Sequence, residues 1–208
     1  IWIKTWEKLG IEVENDKRFF YLNADKIKGS DITFKINTHM GTDNAILFSM
    51  FAPGETTINN AAEEPEVDDL IDFVNMMGAE VERVEPRKIK VIGKNNFNGG
   101  TFRVMDDRNE VVTYAVAALM TKGNLTIKGV DRKNLLAFVN VLSKMNAKFD
   151  ISENEMRIWN KGEKLEPVDV TTAPYPGFMT DWQPLVTLLL TQADGTSLVH
   201  DTIYVDRF

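Results

Sequence analysis

A pattern that recurs at a fixed interval constrains the fold of this chain more than any other feature. Three segments share it, each at the end of an apolar helical stretch and 68 residues from the next: Leu9-Gly10-Ile11-Glu12-Val13, Met77-Gly78-Ala79-Glu80-Val81 and Met145-Asn146-Ala147-Lys148-Phe149. Gly or Asn stands where a helix ends in a left-handed residue, and the alternation that follows predicts a strand. A fixed period indicates that one structural unit is repeated.

A second recurring element is a glycine turn followed by a β-branched strand. It occurs in Pro53-Gly54-Glu55-Thr56-Thr57-Ile58, Lys122-Gly123-Asn124-Leu125-Thr126-Ile127 and Asp194-Gly195-Thr196-Ser197-Leu198-Val199. One repeat is therefore predicted to run strand, helix, strand, helix and two more strands, which is typical of an α/β architecture. A boundary between units is expected near Gly99-Gly100.

Two predicted helices show which side chains should form the core. Their apolar residues recur at helical spacing, and we expect three methionines beside them to fill core space rather than bind ligands. The predicted core residues are Val67, Leu70, Ile71 and Val74, then Leu135, Phe138, Val139 and Leu142, with Met76, Met77 and Met145.

Composition excludes several classes of protein. The net charge of −7 and the interspersed Lys and Glu are unlike a nucleic-acid-binding surface. The absence of cysteine excludes disulfides and thiolate metal sites and favours a cytoplasmic location. No apolar run is long enough to span a bilayer. The chain has no initiator Met and ends abruptly, so we expect a fragment of a longer protein, the alternative being an intact small protein.

The segment from Thr171 to Leu185 is the strongest candidate for a functional loop. Pro174, Pro176 and Gly177 predict a stiff, irregular conformation in its first part. Thr180 is expected to cap a helix that opens at Trp182, which would put Asp181 in the first turn, where free N–H groups stabilise a negative charge. The alternative is that Asp181 only complements the helix dipole.

The segment from Asn37 to Asn44 is a second candidate. It joins a predicted strand, Ile32 to Ile36, to a helix expected to begin near Asn44, and a polar strand-to-helix turn can bind an anion through backbone N–H groups. A plain helix cap is the alternative. Capping also accounts for the acidic stretch from Asn60 to Asp69 and for the loop from Met105 to Glu110.

No sequence pattern indicates a metal or a bound cofactor. The chain has two histidines, His39 and His200, without an acidic cluster at ligand spacing. Neither a P-loop nor a dinucleotide fingerprint occurs. We therefore expect neither a metal nor a cofactor.

Five segments, in chain order, carry a resemblance to one known family. They are Gly54-Glu55-Thr56-Thr57-Ile58-Asn59-Asn60-Ala61-Ala62-Glu63-Glu64-Pro65-Glu66, Asp107-Arg108 with Glu110, Ala173-Pro174-Tyr175-Pro176-Gly177-Phe178 with Thr180-Asp181, Gly195-Thr196-Ser197 and Asp206-Arg207-Phe208. These resemble the motifs G-E-T-x-I-x-N-A-A-x-E-P-E, D-R-x-E, A-P-x-P-x-F-x-T-D, G-T-S and N-R-F of the UDP-N-acetylglucosamine enolpyruvyltransferases. The match extends over the whole chain at the family's spacing.

The resemblance implies a fold of the α/β (α+β) class, an inside-out barrel built from repeated βαβαββ units. Residues 1–104 would be part of the first enolpyruvyltransferase domain, on the UDP-sugar side, and residues 105–208 part of the second. The implied reaction moves the enolpyruvyl group of phosphoenolpyruvate to the 3-hydroxyl of UDP-N-acetylglucosamine and releases phosphate, the first committed step of peptidoglycan synthesis.

The resemblance also implies roles for individual residues. Asp181 matches the carboxylate proposed as the base at the sugar hydroxyl. The substrate-binding positions would be Ile203, through its backbone, Arg207, and the diphosphate-binding loop Asn37, Thr38, His39, Met40 and Gly41. In that loop the sequence departs from the family, because the usual Lys-x-Ser-x-Gly is replaced.

Several family residues would lie outside this chain. The mobile loop with its Cys or Asp acid would precede Ile1, and a Lys–Asn pair and a late Arg would also be missing, so the isolated chain is expected to be inactive. Two alternatives stay open: a shikimate-pathway enolpyruvyltransferase, and a catalytically silent paralogue or binding module on the same fold, which the altered loop from Asn37 to Gly41 favours.

Overall fold

The repeat in the sequence appears as a repeat of helices and strands. The structure is a computed structural model that describes residues 2–204. The chain divides into two units, Ile1–Met105 and Asp106–Phe208. That these units are parts of the first and second domains of an enolpyruvyltransferase stays a prediction.

The first unit contains one complete βαβαββ repeat. It is preceded by the end of another: helix α1 (Trp2–Lys8) and strands β1 (Glu12–Asn15) and β2 (Phe20–Asn23). The complete repeat consists of β3 (Asp31–Thr33), α2 (His39–Ser49), β4 (Glu55–Asn59), α3 (Pro65–Met76), β5 (Glu80–Glu85) and β6 (Lys88–Ile92).

The second unit contains a repeat without an initial strand and the start of a further one. The first comprises α4 (Arg108–Met120), β7 (Asn124–Lys128), α5 (Leu136–Lys144), β8 (Lys148–Ile151) and β9 (Glu155–Trp159), with a 3₁₀ helix, Arg132–Leu135, before α5. The next comprises β10 (Val170–Thr171), a 3₁₀ helix (Thr180–Trp182), α6 (Gln183–Leu190) and β11 (Val199–His200).

Strand pairing is the same in each copy. The sheet of the first unit has the order β3-β4-β6-β5, and that of the second has the order β7-β9-β8. The pair β3–β4 is parallel, and the other pairs in these two sheets are antiparallel. Strands β10 and β11 form a separate parallel pair. The β1–β2 hairpin corresponds to the last two strands of a repeat.

The helix ends are formed as the sequence predicted. Gly10, Gly78 and Asn146 have φ angles of 80°, 97° and 55°, and the next strands begin at residues 12, 80 and 148. One glycine turn differs, because Lys122 rather than Gly123 takes the left-handed conformation, with φ of 54°.

Each unit has its own hydrophobic core. The predicted faces of α3 and α5 are buried or packed against these cores. Met145 is fully buried, as predicted, but Met76 is 37% exposed, so the prediction that it fills the core was wrong. Its sulfur instead lies against the backbone at Gly100, where a Cβ would come within 2.4 Å of it.

Candidate active site

The loop from Ala173 to Met179 is stiff and irregular, as its prolines and its glycine predicted. The Ala173 N–H donates to the Phe178 carbonyl at 2.9 Å, and the Gly177 N–H donates to the Pro174 carbonyl at 2.8 Å. A Cβ at Gly177 would lie 2.6 Å from the Ala173 Cβ, so no larger residue fits this turn. The Tyr175–Pro176 peptide bond is cis.

Trp182 attaches the end of this loop to the core of the second unit. Its indole is buried and contacts the rings of Phe178 and Phe138, with centroid distances of 5.6 and 6.1 Å. Its Nε1–H donates to Asn109 Oδ1 at 2.8 Å. Since Trp182 directly follows Asp181, the backbone at Asp181 is held by a packed and hydrogen-bonded neighbour.

Arg108, at the start of α4, supports the same loop. Its side chain is buried, and its Cζ lies 5.2 Å from the ring centroid of Tyr175 and 5.5 Å from that of Trp182. Such placement allows cation–π attraction. Asp107 caps α4, as predicted, by accepting from the Asn109 N–H at 2.7 Å. Reading this motif only as a cap missed the role of Arg108.

Asp181 lies in a 3₁₀ helix, Thr180–Trp182, and not in the first turn of an α-helix. The prediction that Thr180 is an N-cap was wrong, because Thr180 is itself the first residue of the 3₁₀ helix, whose N-cap is Met179. The Thr180 hydroxyl donates to Asp201 Oδ2 at 2.7 Å. The α-helix begins at Gln183 with Pro184 in its first turn. Asp181 is exposed, and within residues 2–204 its carboxylate has neither a hydrogen bond nor an ion pair.

Asp201, which sequence reasoning did not single out, accepts four hydrogen bonds. Oδ1 accepts from Thr172 Oγ1 at 2.8 Å, from the Ile203 N–H at 2.8 Å and from the Tyr204 N–H at 3.0 Å, and Oδ2 accepts from Thr180. Burial alone would raise the pKa of Asp201. The hydrogen bonds from Thr180, the two backbone N–H groups and Thr172 outweigh burial and lower the pKa to about 2.

Ile203 and Arg207 are the other two predicted substrate-binding positions near this end of the chain. Ile203 is partly exposed, and its N–H is used by Asp201, so its carbonyl is the backbone group left for a ligand. Arg207 lies outside the described residues. Its proposed role stays a prediction.

In the predicted diphosphate-binding loop, α2 begins at His39 rather than near Asn44. Thr38 is the N-cap, and its Oγ1 accepts from the Gly41 N–H at 3.2 Å. Asn37 donates to the Ala61 carbonyl at 3.1 Å. Thr38 therefore caps α2, and binding of an anion by this turn stays a prediction. The N–H groups of His39 and Met40 have no acceptor within the described residues, and the Met40 side chain is exposed.

The carboxylates of Asp43 and Glu64 lie near the start of α2. Asp43 Oδ2 lies 3.5 Å from His39 Nε2, while Asp43 Oδ1 and Glu64 Oε2 are buried without a hydrogen-bond partner in the described part of the chain. Burial raises the pKa of Asp43; His39 opposes this shift, and Glu64 and Glu66 add to it. An anion here would encounter both backbone N–H groups and nearby negative charge.

Among residues 2–204, no three or more His, Asp and Glu side chains cluster in a way that could hold a metal ion. Over the same residues, no helix combines the length and the apolar character needed to cross a membrane.

Comparisons with known proteins agree with the sequence motifs. The profile of the family described as EPSP synthase (3-phosphoshikimate 1-carboxyvinyltransferase) matches residues 2–208. UDP-N-acetylglucosamine 1-carboxyvinyltransferase 1 of Clostridium acetobutylicum is 36% identical over 206 residues, which cover 99% of this chain and 49% of that protein. The UDP-N-acetylglucosamine 1-carboxyvinyltransferase of Hydrogenovibrio crunogenus is 34% identical over 208 residues, which cover 100% and 50%. The chain thus spans about half the length of the curated relatives it matches.

Solved structures show the same fold. The enolpyruvyl transferase NikO from Streptomyces tendae superposes with a TM-score of 0.85 at 20% identity, covering 99% of this chain and 52% of that one. An EPSP synthase from Acinetobacter baumannii gives a TM-score of 0.63 at 16% identity, covering 95% and 47%. The predicted fold class and the resemblance to the UDP-N-acetylglucosamine enolpyruvyltransferases are confirmed. The chain belongs to the EPSP synthase (3-phosphoshikimate 1-carboxyvinyltransferase) family.

Proposed function

We propose that this chain is the central part of an enzyme that transfers the enolpyruvyl group of phosphoenolpyruvate to the 3-hydroxyl of UDP-N-acetylglucosamine, in the cytoplasm, for peptidoglycan synthesis. The observation that carries the proposal is the exposed Asp181 carboxylate, which has no partner within residues 2–204 and lies in a 3₁₀ helix that the buried, hydrogen-bonded Trp182 attaches to the core. The names of the curated relatives, at 34–36% identity over nearly the whole chain, support the same acceptor.

The reaction needs a base at the sugar hydroxyl. As the hydroxyl oxygen attacks C2 of phosphoenolpyruvate, its proton passes to the Asp181 carboxylate, and an acid elsewhere in the protein protonates C3. The resulting tetrahedral intermediate then loses a proton from C3, the bond from C2 to the phosphate oxygen breaks, and phosphate leaves. Asp181 suits the first step because neither an ion pair nor a hydrogen bond within residues 2–204 occupies its oxygens.

We further propose that backbone groups hold the UDP-sugar. The carbonyl of Ile203 would accept from a sugar hydroxyl, because its N–H already donates to Asp201. The N–H groups of His39 and Met40 would donate to the diphosphate, with Asn37, Thr38 and Gly41 shaping the turn. Arg207 would contribute a positive charge near the reacting groups. Segments outside this chain would supply the acid and the phosphate-binding cations, so the isolated chain would be inactive.

The alternatives have less support. The shikimate-pathway reaction is favoured by the description of the family profile, but the EPSP synthase structures share 16–17% identity, which indicates the fold alone. A silent paralogue is favoured by the altered 37–41 loop. Turnover by the full-length protein would contradict that alternative, and a comparison of turnover with UDP-N-acetylglucosamine and with shikimate 3-phosphate separates the two acceptors.

The role of Asp181 is tested with Asp181→Asn in the full-length protein. An amide keeps the shape but accepts a proton very poorly, so kcat should fall to near background, while the Kd for UDP-N-acetylglucosamine stays within about tenfold, or about 1.4 kcal/mol. Phosphate release and calorimetry measure the two quantities. Asp150→Asn, at an exposed carboxylate of β8, is the matched control and should behave as wild type. Near-normal turnover of Asp181→Asn would remove Asp181 from the base role.

A further inference from the structure

The Asp201 carboxylate joins two segments that the proposed function assigns to the sugar. Oδ2 holds the hydroxyl of Thr180, the residue before the proposed base Asp181, at 2.7 Å. Oδ1 holds the N–H of Ile203 at 2.8 Å and that of Tyr204 at 3.0 Å. The Asp201 side chain therefore holds two parts of the chain. One is Thr180, directly before Asp181, and the other is the peptide group between Ile203 and Tyr204, whose carbonyl is proposed to contact the sugar.

The support of Asp201 is itself rigid. The fully buried Thr172 donates its hydroxyl to Asp201 Oδ1 at 2.8 Å and accepts from the Thr202 N–H at 2.9 Å. The Thr202 hydroxyl donates in turn to the Thr172 carbonyl at 2.6 Å. Because Thr172 directly follows β10 and Asp201 directly follows β11, the parallel pairing of these strands brings the two side chains together. Rotation of the Asp201 carboxylate would break several of these bonds at once.

This arrangement needs an ionised carboxylate. Within residues 2–204, the four groups bonded to the two oxygens all donate, and such hydrogen bonds are stronger to a charged acceptor. With its pKa lowered to about 2 by these donors against the effect of burial, Asp201 stays ionised throughout the range in which enzymes are assayed. Asp201 is therefore an ionised acceptor of hydrogen bonds in that range.

We propose that Asp201 is a positioning residue for the enolpyruvyl transfer, which holds Asp181 and the Ile203 carbonyl at a fixed separation around the sugar. This inference rests on the proposed function. It assigns to Asp201 no contact with the reacting atoms. Its effect on catalysis passes through Thr180 and through the turn from Thr202 to Tyr204.

The main variant is Asp201→Asn in the full-length protein. The amide is neutral and has one acceptor oxygen, so the bonds to Thr172, Ile203 and Tyr204 lose their charge assistance, and the Thr180 hydroxyl, which faces the NH₂ group, can stay bonded only by turning from donor to acceptor. Because displacement of a reacting group by about 1 Å can cost about a hundredfold in rate, we expect kcat to fall by about tenfold to a hundredfold. The apparent pKa values of the pH–rate profile should not change, since Asp201 does not titrate there.

Two companion variants show which contact matters. Thr180→Val removes the hydroxyl that reaches Oδ2 and should lower kcat in the same direction, whereas Thr180→Ser keeps the hydroxyl and should restore most of the rate. Asp169→Asn is the matched control. Asp169 bridges the same two chain segments through one bond from the Leu198 N–H at 2.8 Å, and an amide oxygen can still accept that bond. Asp169→Asn should therefore keep the wild-type kcat.

A stability control separates positioning from simple loss of folded protein. Leu142→Ala creates a cavity at a fully buried position of α5 and should lower Tm by several degrees without changing kcat at a temperature well below Tm. The proposal is overturned if Asp201→Asn keeps kcat within about twofold of wild type, or if Leu142→Ala loses as much kcat for the same loss of Tm.

Hydrogen exchange distinguishes this proposal from the proposed function. Amides from Thr180 to Gln183 should exchange faster in Asp201→Asn than in wild type, and Asp169→Asn should leave them unchanged. If the folded wild-type protein has no turnover with UDP-N-acetylglucosamine and phosphoenolpyruvate, the proposed function fails, whereas exchange still decides whether Asp201 orders the loop. Unchanged exchange in Asp201→Asn would reject the positioning role whatever the activity.

Discussion

At the residue scale, two carboxylates of the second unit differ in what surrounds them. Asp181 is exposed and has no protein partner within residues 2–204, whereas Asp201 accepts four hydrogen bonds. A base needs oxygens that a substrate proton can reach. A supporting acceptor needs the opposite, a saturated and permanently ionised carboxylate. The proposed roles follow from this difference in environment.

Asp43 provides a prediction at the same scale, about stability and pH. Burial, with the neighbouring Glu64 and Glu66, raises its pKa in the folded state against the effect of His39. Its contribution to stability is therefore full below the unfolded pKa and is lost as the pH rises through the folded pKa. We expect Asp43→Asn to be more stable than wild type at pH 7 and to lose this advantage as the pH falls toward 4.

Urea denaturation of the chain between pH 4 and pH 8 measures this difference. Asp72→Asn, at an exposed carboxylate of α3, controls for the loss of one negative charge. If Asp43→Asn were destabilised by the same amount at every pH, burial of an ionised Asp43 would not be the cause.

Sequence reasoning could find Asp181 but not its support. The prolines, the glycine and the motif around Asp181 are local signals. The contact of Thr172 with Asp201 depends on pairing between β10 and β11, about thirty residues apart, and no local spacing reports it. The Thr180 N-cap was predicted wrongly because a 3₁₀ helix already begins at Thr180, ahead of the α-helix that begins at Gln183.

At the scale of elements, helix ends set by glycine or asparagine were predicted well and helix starts less well. Left-handed residues at Gly10, Gly78 and Asn146 end their helices through backbone geometry that one residue determines. The start of α2 was placed too late. Thr38 caps this helix while Gly41, which looked like a turn residue, lies inside its first turn. A Cβ at Gly41 would lie 2.4 Å from the Thr38 Cγ2, which explains the glycine by packing.

The junction between α4 and the 3₁₀ helix that carries Asp181 gives a prediction about element packing. Asn109→Ala would leave the buried Trp182 Nε1–H without its acceptor, which costs about 1–3 kcal/mol. The double variant Asn109→Ala, Trp182→Phe lacks both groups, so its loss of stability should be smaller than the sum of the single losses. Urea denaturation measures all three variants.

The control for this double-mutant cycle of Asn109 and Trp182 is Asn140→Ala, at an exposed position of α5. This change should alter the unfolding free energy by less than about 0.5 kcal/mol. Strictly additive losses in the cycle would mean that the hydrogen bond between Trp182 and Asn109 does not couple the two helices.

At the scale of the whole molecule, the repeat predicted the order of elements because each copy buries its apolar faces in the same way. The order β4-β6-β5 in one unit and β7-β9-β8 in the other shows the copies directly. The chain spans about half the length of its curated relatives, and we expect the other groups of the proposed site in the rest of the full-length protein. Activity is therefore a property expected of the full-length protein.

The choice of acceptor by the full-length protein tests the central claim most directly. Phosphate release from phosphoenolpyruvate is measured with UDP-N-acetylglucosamine and, separately, with shikimate 3-phosphate, and mass spectrometry identifies the products. Of the two acceptors, we expect turnover only with UDP-N-acetylglucosamine, giving a product that carries one enolpyruvyl group. Residues 1–208 in isolation should show no turnover with either acceptor. Turnover with shikimate 3-phosphate instead, or with neither acceptor by a folded full-length protein, would contradict the proposed function.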